Sequence, residues 1–404
     1  MIYLDDSATT KVDERVLDAM LPFYKEYYGN SSSVHSFGQK SRFAIDEARY
    51  TIASFLQCTP QEIIFTSTGS ESISLALKGT AEYLATKNGK FEPEKVHIIT
   101  SPLEHSSVHK TIAHLGYWGY KNHIIDVNNE GLLILDPETG ISGNPVNNLK
   151  SLRQILDDIS SDSSNLIIVS VQHVNSETGA IQDIKRICEI AHEYNAIVHT
   201  DAMQSAKLID INVRDSGVDL LTFASHKIYG PLGAAVLYIK SGSKISRQID
   251  GGEQEYKIRA GTHNTPAIVG FGKAVELLSN ERNERLAYIQ DLSNKFISLL
   301  TEYIPNVRVL SLNKRMVSIH SVVLPGVKAS EFLVRLDMAG IMASAGSACN
   351  SGAIQPMANL SYLGLSDTEI DSVVRFSIGK NNNIEEINES VKIISEQYNA
   401  YIQR

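Results

Sequence analysis

Cysteine is scarce in this chain. Cys58, Cys188 and Cys349 are the only three among 404 residues, far apart and without metal-ligand spacing. That excludes a disulfide framework, suggests no metal centre, and points to a reducing compartment. Long apolar runs are missing as well. No uninterrupted stretch approaches the ~18 residues of a membrane helix, and Met1-Ile2-Tyr3-Leu4-Asp5-Asp6 lacks the basic start and apolar run of a secretory signal. Positive charge is in deficit: 37 Lys and Arg against 46 Asp and Glu leave a net −9. A basic face that binds nucleic acid directly is therefore not expected. Internal repeats and low-complexity tracts are absent from the sequence. What remains reads as a cytoplasmic globule, 43% hydrophobic, long enough to bury a large core in two or three units.

Short runs rich in Val and Ile alternate with longer segments of helical period. The strand candidates are 63–67, 97–101, 123–127, 166–174, 196–201, 220–225 and 234–239. Several are apolar throughout, as strands buried on both faces must be. After Asp183, residues Ile184, Ile187, Cys188 and Ala191 recur with the period of one helix face, which makes Cys188 a small buried residue. Cys58, before Thr59-Pro60 at a turn, reads as structural too. Strand–helix–strand repetition predicts an α/β fold with a mainly parallel seven-stranded sheet, covered on both sides, with ligands at the carboxyl ends of the strands. Beyond about Gly261 the pattern changes. A long helical region (266–303), strands near 308–310 and 318–324, and a last helix from Ile384 predict a smaller α+β domain. We expect a large domain over 14–260 and a small one over 261–404, with residues 1–13 folded back onto it. Pro, Gly and Asn mark 136–148 as a surface insertion.

Four stretches carry candidate chemistry. In Leu220–Pro231 a buried strand runs into Ser225-His226-Lys227. Alone, that lysine reads best as a strand-end side chain reaching into water; in a partly dry site its amine could form a Schiff base with a carbonyl such as pyridoxal 5'-phosphate (PLP). Phe65–Ser72 is a strand, a small-residue turn with Gly69 and Ser70, and a helix start whose free N–H groups suit a phosphate; the plain alternative is an ordinary helix cap. Glu104-His105 follows a strand, where an imidazole could stack on a flat cofactor, although any one of twelve histidines could equally be a surface residue. Asp201 ends a buried strand one step before Lys227 and needs a cationic partner, which a pyridinium nitrogen supplies; otherwise it caps a helix. Last comes Ala343–Gly352, a Gly/Ser stretch around Cys349. A thiol in such a loop, with nothing apolar round it, reads as reactive rather than structural.

With these residues in order, the chain resembles the cysteine desulfurases of the NifS/IscS group, within the class V aminotransferase family and fold-type I PLP enzymes. The resemblance runs from Tyr3-Leu4-Asp5 and Ser7-Ala8-Thr9-Thr10 to about Gly379. It takes in His35 and Gly38, Glu104-His105, His173-Val174-Asn175, Glu177 and Gly179, His226-Lys227, Gly230-Pro231, Arg259, Gly261-Thr262, Gly346-Ser347-Ala348-Cys349 and Arg375-Phe376-Ser377. It implies that Lys227 holds PLP and later takes the substrate's Cα proton. It further implies that Asp201 pairs with the ring nitrogen, His105 stacks on the ring, and Gln204 bonds the phenolic oxygen. Gly69, Ser70 and His226 would contact the phosphate, with Thr262 of a second copy in a homodimer and Ser225 near by. Asn175, which would also contact the cofactor, and Arg375 would bind the carboxylate of L-cysteine, a planar anion suited to a guanidinium. Cys349 would accept the sulfur as a persulfide, leave L-alanine, and pass the sulfur to an acceptor protein. Iron–sulfur assembly scaffolds, tRNA thiolation enzymes and DNA phosphorothioation systems all draw on such donors. The length of the cysteine loop favours the NifS/IscS type over the SufS type.

The chain also departs from the pattern. Ala224 stands where a serine is usual and a serine appears at 225, so one phosphate hydroxyl is lost or displaced. Ser70 replaces Thr, Ile73-Ser74 replaces an Asp/Asn pair, and Glu253 replaces one glycine of a Gly-rich turn. A selenocysteine lyase or aminotransferase is the alternative among enzymes, though transamination has no use for Cys349. A degenerate homologue that only binds a partner is the alternative from another class.

Overall fold

The computed structural model describes residues 1–87, 89–137, 149–310, 313–345 and 358–403. Cys349 lies outside the described residues, as does most of the expected insertion at 136–148. The strands used below are β1 (Ile2–Tyr3), β2 (Ile63–Thr66), β3 (Val96–Thr100), β4 (Lys121–Ile124), β5 (Leu166–Gln172), β6 (Ile197–Asp201), β7 (Leu220–Ala224), β8 (Ala235–Ile239), β9 (Arg308–Val309), β10 (Ile319–Val323), β11 (Ile341–Met342) and β12 (Val373–Ser377). The principal helices are α1 (Ser36–Leu56), α2 (Gly69–Ala85), α3 (Ser106–Tyr117), α4 (Leu152–Ser160), α5 (Ile184–Glu193), α6 (Thr265–Tyr303), α7 (Ala329–Met338) and α8 (Ile384–Ile402).

Seven strands form one sheet in the order β2-β8-β7-β6-β5-β3-β4. Only β8 runs against its neighbours. Side chains alternate between the two faces, and each face has its own cover. In β3, Ile99 joins one core with helices α1, α4 and α5, whereas Val96 and Ile98 join another with α2 and α3. Every residue of β7 and β8 is buried, which accounts for their unbroken apolar sequence. The edge strand β4 begins two residues earlier than its apolar pattern predicts, because its exposed side needs no hydrophobic partner. Cys188 is buried on α5 as expected, and burial pushes its thiol up to about 12.

A second core lies between a three-stranded antiparallel sheet (β9-β10-β12) and helices α7 and α8. The chain start belongs to it: β1 pairs with β11, and the Ser377 amide donates to the Leu4 carbonyl at 2.7 Å. Helix α6 is one unit of 39 residues that serves both cores. Phe271, Val275 and Leu278 pack in the first and Phe296 and Leu300 in the second.

Candidate active site

The carboxyl ends of β2, β3, β5, β6 and β7 open on a cleft of about 190 Å³. Each strand delivers its side chains through the turn that follows it. After β2, Thr68 caps α2 by accepting from the Glu71 amide at 3.1 Å, which leaves Gly69 and Ser70 in the first turn facing the cleft. A Cβ at Gly69 would stand 2.5 Å from the Met203 methyl, so a larger residue there would require that flexible side chain to move. After β7, a single 3-10 turn (Ser225–Lys227) carries His226 and Lys227 into the cleft. Strands β6 and β7 are neighbours, so Asp201 and Lys227 sit on adjacent strand ends.

Charge in the site is set by burial. Asp201 is 4% exposed; its carboxyl is pushed up to about 6 by desolvation, against the Met203 amide that donates to it at 2.9 Å and the nearby Lys227. Burial, assisted by Lys227, pushes the His105 imidazole down to about 4, so it is neutral at pH 7. His105 is also the cap of α3: its Nδ1 accepts from the Ser107 amide at 3.2 Å. A backbone N–H can only donate, so the imidazole proton resides on Nε2. His226 is likewise held down to about 4, and its Nδ1 lies 3.1 Å from the Thr9 hydroxyl. Lys227 Nζ donates to the carbonyls of Ser7 (2.5 Å) and Ala8 (2.8 Å), and the Gln204 amide donates to Ser7 at 2.9 Å.

Gly69, Ser70, His105, Asp201, Gln204, His226, Lys227 and Arg375 therefore line one cleft. Two residues expected with them do not line it. Asn175 has its side chain committed to the protein: Nδ2 donates to Leu103 O at 2.9 Å, and Oδ1 accepts from the amides of Glu177 and Thr178 in its own turn. Ser225 is buried against Gly230, where a Cβ would come within 2.0 Å of its hydroxyl, and it does not line the cleft. Thr262, expected to act from a second copy, is exposed on the segment before α6 and is not among the residues lining this cleft.

Two contributors carried no role in the sequence reading. Glu104 is fully buried beside His105 and is pushed up to about 8 by desolvation, despite bonds from Ser101 Oγ (2.6 Å) and the Gln172 amide (3.1 Å). Asp5 reaches Arg375 from the chain start at 2.9 Å. An acidic pair closing the apolar run Ile2-Tyr3-Leu4 was the only signal for it.

The class-V aminotransferase model matches residues 2–389. The chain belongs to the class-V aminotransferase family. Relatives within it include the "Putative cysteine desulfurase IscS 1" of Bacillus subtilis, 37% identical over 98% of both chains, and the "Cysteine desulfurase IscS" of Dictyoglomus turgidum, 36% identical over 97% of this chain and 93% of that one. Among solved structures, a NifS-like protein superposes with a TM-score of 0.85 at 30% identity, covering 98% of each chain. A structure titled "SspA in complex with cysteine" gives 0.75 at 30% identity, over 94% of this chain and 99% of that one. This class-V member thus has the fold-type I architecture, a mostly parallel seven-stranded sheet with the site at its strand ends.

Proposed function

We infer that the cleft converts L-cysteine to L-alanine and hands on the sulfur. The chain is a PLP-dependent cysteine desulfurase of the class-V aminotransferase family, like the full-length relatives it matches. The observation that carries the site reading is the buried Asp201 carboxyl on the strand end beside Lys227. A carboxylate desolvated to that degree calls for a cation, and an amine lies across from it.

The residues present fit the cofactor. Lys227 would bind its aldehyde carbon, Asp201 its ring nitrogen, His105 its ring face and Gln204 its phenolic oxygen. Gly69, Ser70 and His226 would hold its phosphate, with Thr262 added by a second copy. Bound there, PLP supplies an electron sink for charge that develops at the substrate's Cα. The chain's own residues do the rest. Arg375 takes the substrate carboxylate, and Lys227 removes and returns the Cα proton. His105, held neutral with its proton on Nε2, can donate on the cleft side. The C–S bond of cysteine breaks, its sulfur joins the Cys349 thiolate as a persulfide, and alanine leaves. Cysteine minus sulfur is alanine, so no outside oxidant or reductant is needed. An acceptor protein, an iron–sulfur scaffold or a thiolation enzyme, then discharges Cys349.

Two cores, with α6 shared between them, support a large unit (14–260) and a small one (1–13 with 261–404). A homodimer is supported by the exposed aromatics Tyr28, Phe37, Phe43 and Tyr50 on and beside α1, of which Phe43 lines a groove of about 810 Å³. Among the described residues no helix is long and apolar enough to cross a membrane, and Cys58 and Cys188 are unbridged, which supports a reducing, cytoplasmic setting.

Purified protein tests the reading. We expect a yellow chromophore that Lys227→Ala abolishes, with alanine and sulfide formed from cysteine in the presence of a thiol reductant. Cys349→Ser should keep the chromophore and lose at least about 100-fold in turnover. Turnover that survives Cys349→Ser would replace this mechanism with a lyase.

A further inference from the structure

Arg375 is 2% exposed yet lines the cleft, so its guanidinium has lost nearly all its water. Two of its nitrogens are held. Nη1 donates to the Ser176 carbonyl at 2.9 Å and Nη2 to Asp5 Oδ1 at 2.9 Å, while Nε has no partner among the described residues. The other oxygen of Asp5, Oδ2, accepts from Ser344 Oγ at 2.7 Å. Ser344 is itself fixed to the backbone of Arg375, with its amide donating to Arg375 O at 3.1 Å and its carbonyl accepting from Arg375 N at 2.7 Å. Asp5 cannot swing either, because Leu4 and Ser377 join its strand to β12. A carboxylate anchored at both oxygens thus grips one part of a guanidinium that lines the cleft.

We propose that Asp5 is a positioning residue: it presents Arg375 in a single orientation to the carboxylate of the amino-acid substrate. This rests on the reading that Arg375 takes that carboxylate. A free arginine stem has many rotamers to lose on binding, and a guanidinium buried without a counter-ion would be costly. Asp5 removes both costs before the substrate arrives, so its contribution appears in substrate affinity and only for ligands with a carboxylate. It comes from the first residues of the chain, which places a specificity element outside the parallel sheet that carries the cofactor residues.

The test uses the cofactor-loaded protein. In Asp5→Asn we expect the KM for cysteine to rise about tenfold, with kcat within about threefold of the parent. Cysteamine, which is cysteine without its carboxylate, should perturb the cofactor absorbance at a half-saturating concentration that Asp5→Asn leaves unchanged. Ser344→Ala keeps the Asp5–Arg375 pair but frees the other oxygen; it should raise KM about threefold and carries the test if Asp5→Asn does not fold. An unchanged KM in the foldable variant, or equal weakening of cysteine and cysteamine, overturns the proposal. Arg375→Lys separates the two readings. If it leaves KM unchanged, Arg375 is not the carboxylate site; if it raises KM and Asp5→Asn does not, the Asp5 proposal alone fails.

Discussion

At the scale of single residues, the site mixes groups that burial has pushed in opposite directions. Glu104 is pushed up to about 8 and its neighbour His105 down to about 4, so near pH 7 both are neutral in a site without its cofactor. A carboxyl group whose folded pKa is raised binds more protons folded than unfolded. Stability attributable to it is fully present below the unfolded value near 4.5, declines as pH rises, and has gone above about 8. Glu104→Gln keeps the shape and cannot ionise. We expect it to flatten the decline and to be the more stable form at pH 8.5, by on the order of a few kcal/mol, as measured by urea unfolding at a series of pH values. A parallel fall in both proteins would show that Glu104 does not titrate in this range.

At the scale of elements, the turn after Gln254 holds three consecutive residues in the left-handed region: Glu255 (φ 45°), Tyr256 (φ 55°) and Lys257 (φ 70°). Non-glycine residues there are strained by roughly 1–3 kcal/mol each. The Glu255 carboxylate holds the turn in place. It accepts from Arg49 at 2.7 and 2.8 Å and from the Phe65 amide at 2.7 Å in a buried setting, and it pairs with the partly buried His263 at 2.7 Å. This turn thereby ties α1, β2 and the segment carrying Thr262 together. Removing one partner of such a pair leaves a buried charge alone, so Arg49→Met should lose about 3–5 kcal/mol in urea unfolding. A loss below about 1 kcal/mol would mean that the pair contributes no more than a surface bridge. The sequence offers Glu253 in place of a glycine as a sign that this turn is unusual, but Arg49 and Phe65 lie 206 and 190 positions from Glu255 along the chain and have no local signature.

At the scale of the molecule, the exposed aromatic face beside α1 predicts association. Phe43 is 67% exposed and borders the large groove. We expect the parent protein to sediment as a dimer and Phe43→Glu to shift it toward monomer, with weaker retention of PLP because Thr262 would no longer reach the second site. A parent that sediments as a monomer would remove the homodimer from the proposed mechanism.

The periodicity of the chain by itself determined the seven strands of the sheet, the burial of Cys188 and the strand-end placement of Lys227, Asp201 and His105. Local hydrophobic patterns and turn residues carry that information, since a strand buried on both faces must be apolar wherever it ends up. Only the tertiary structure decided that Asn175 commits its amide nitrogen to the Leu103 carbonyl. It alone revealed the neutral Glu104, the grip of Asp5 on Arg375, and the service of α6 to two cores. Each of these depends on desolvation, or on contacts between residues distant in the chain, and neither has a period that a one-dimensional pattern can display.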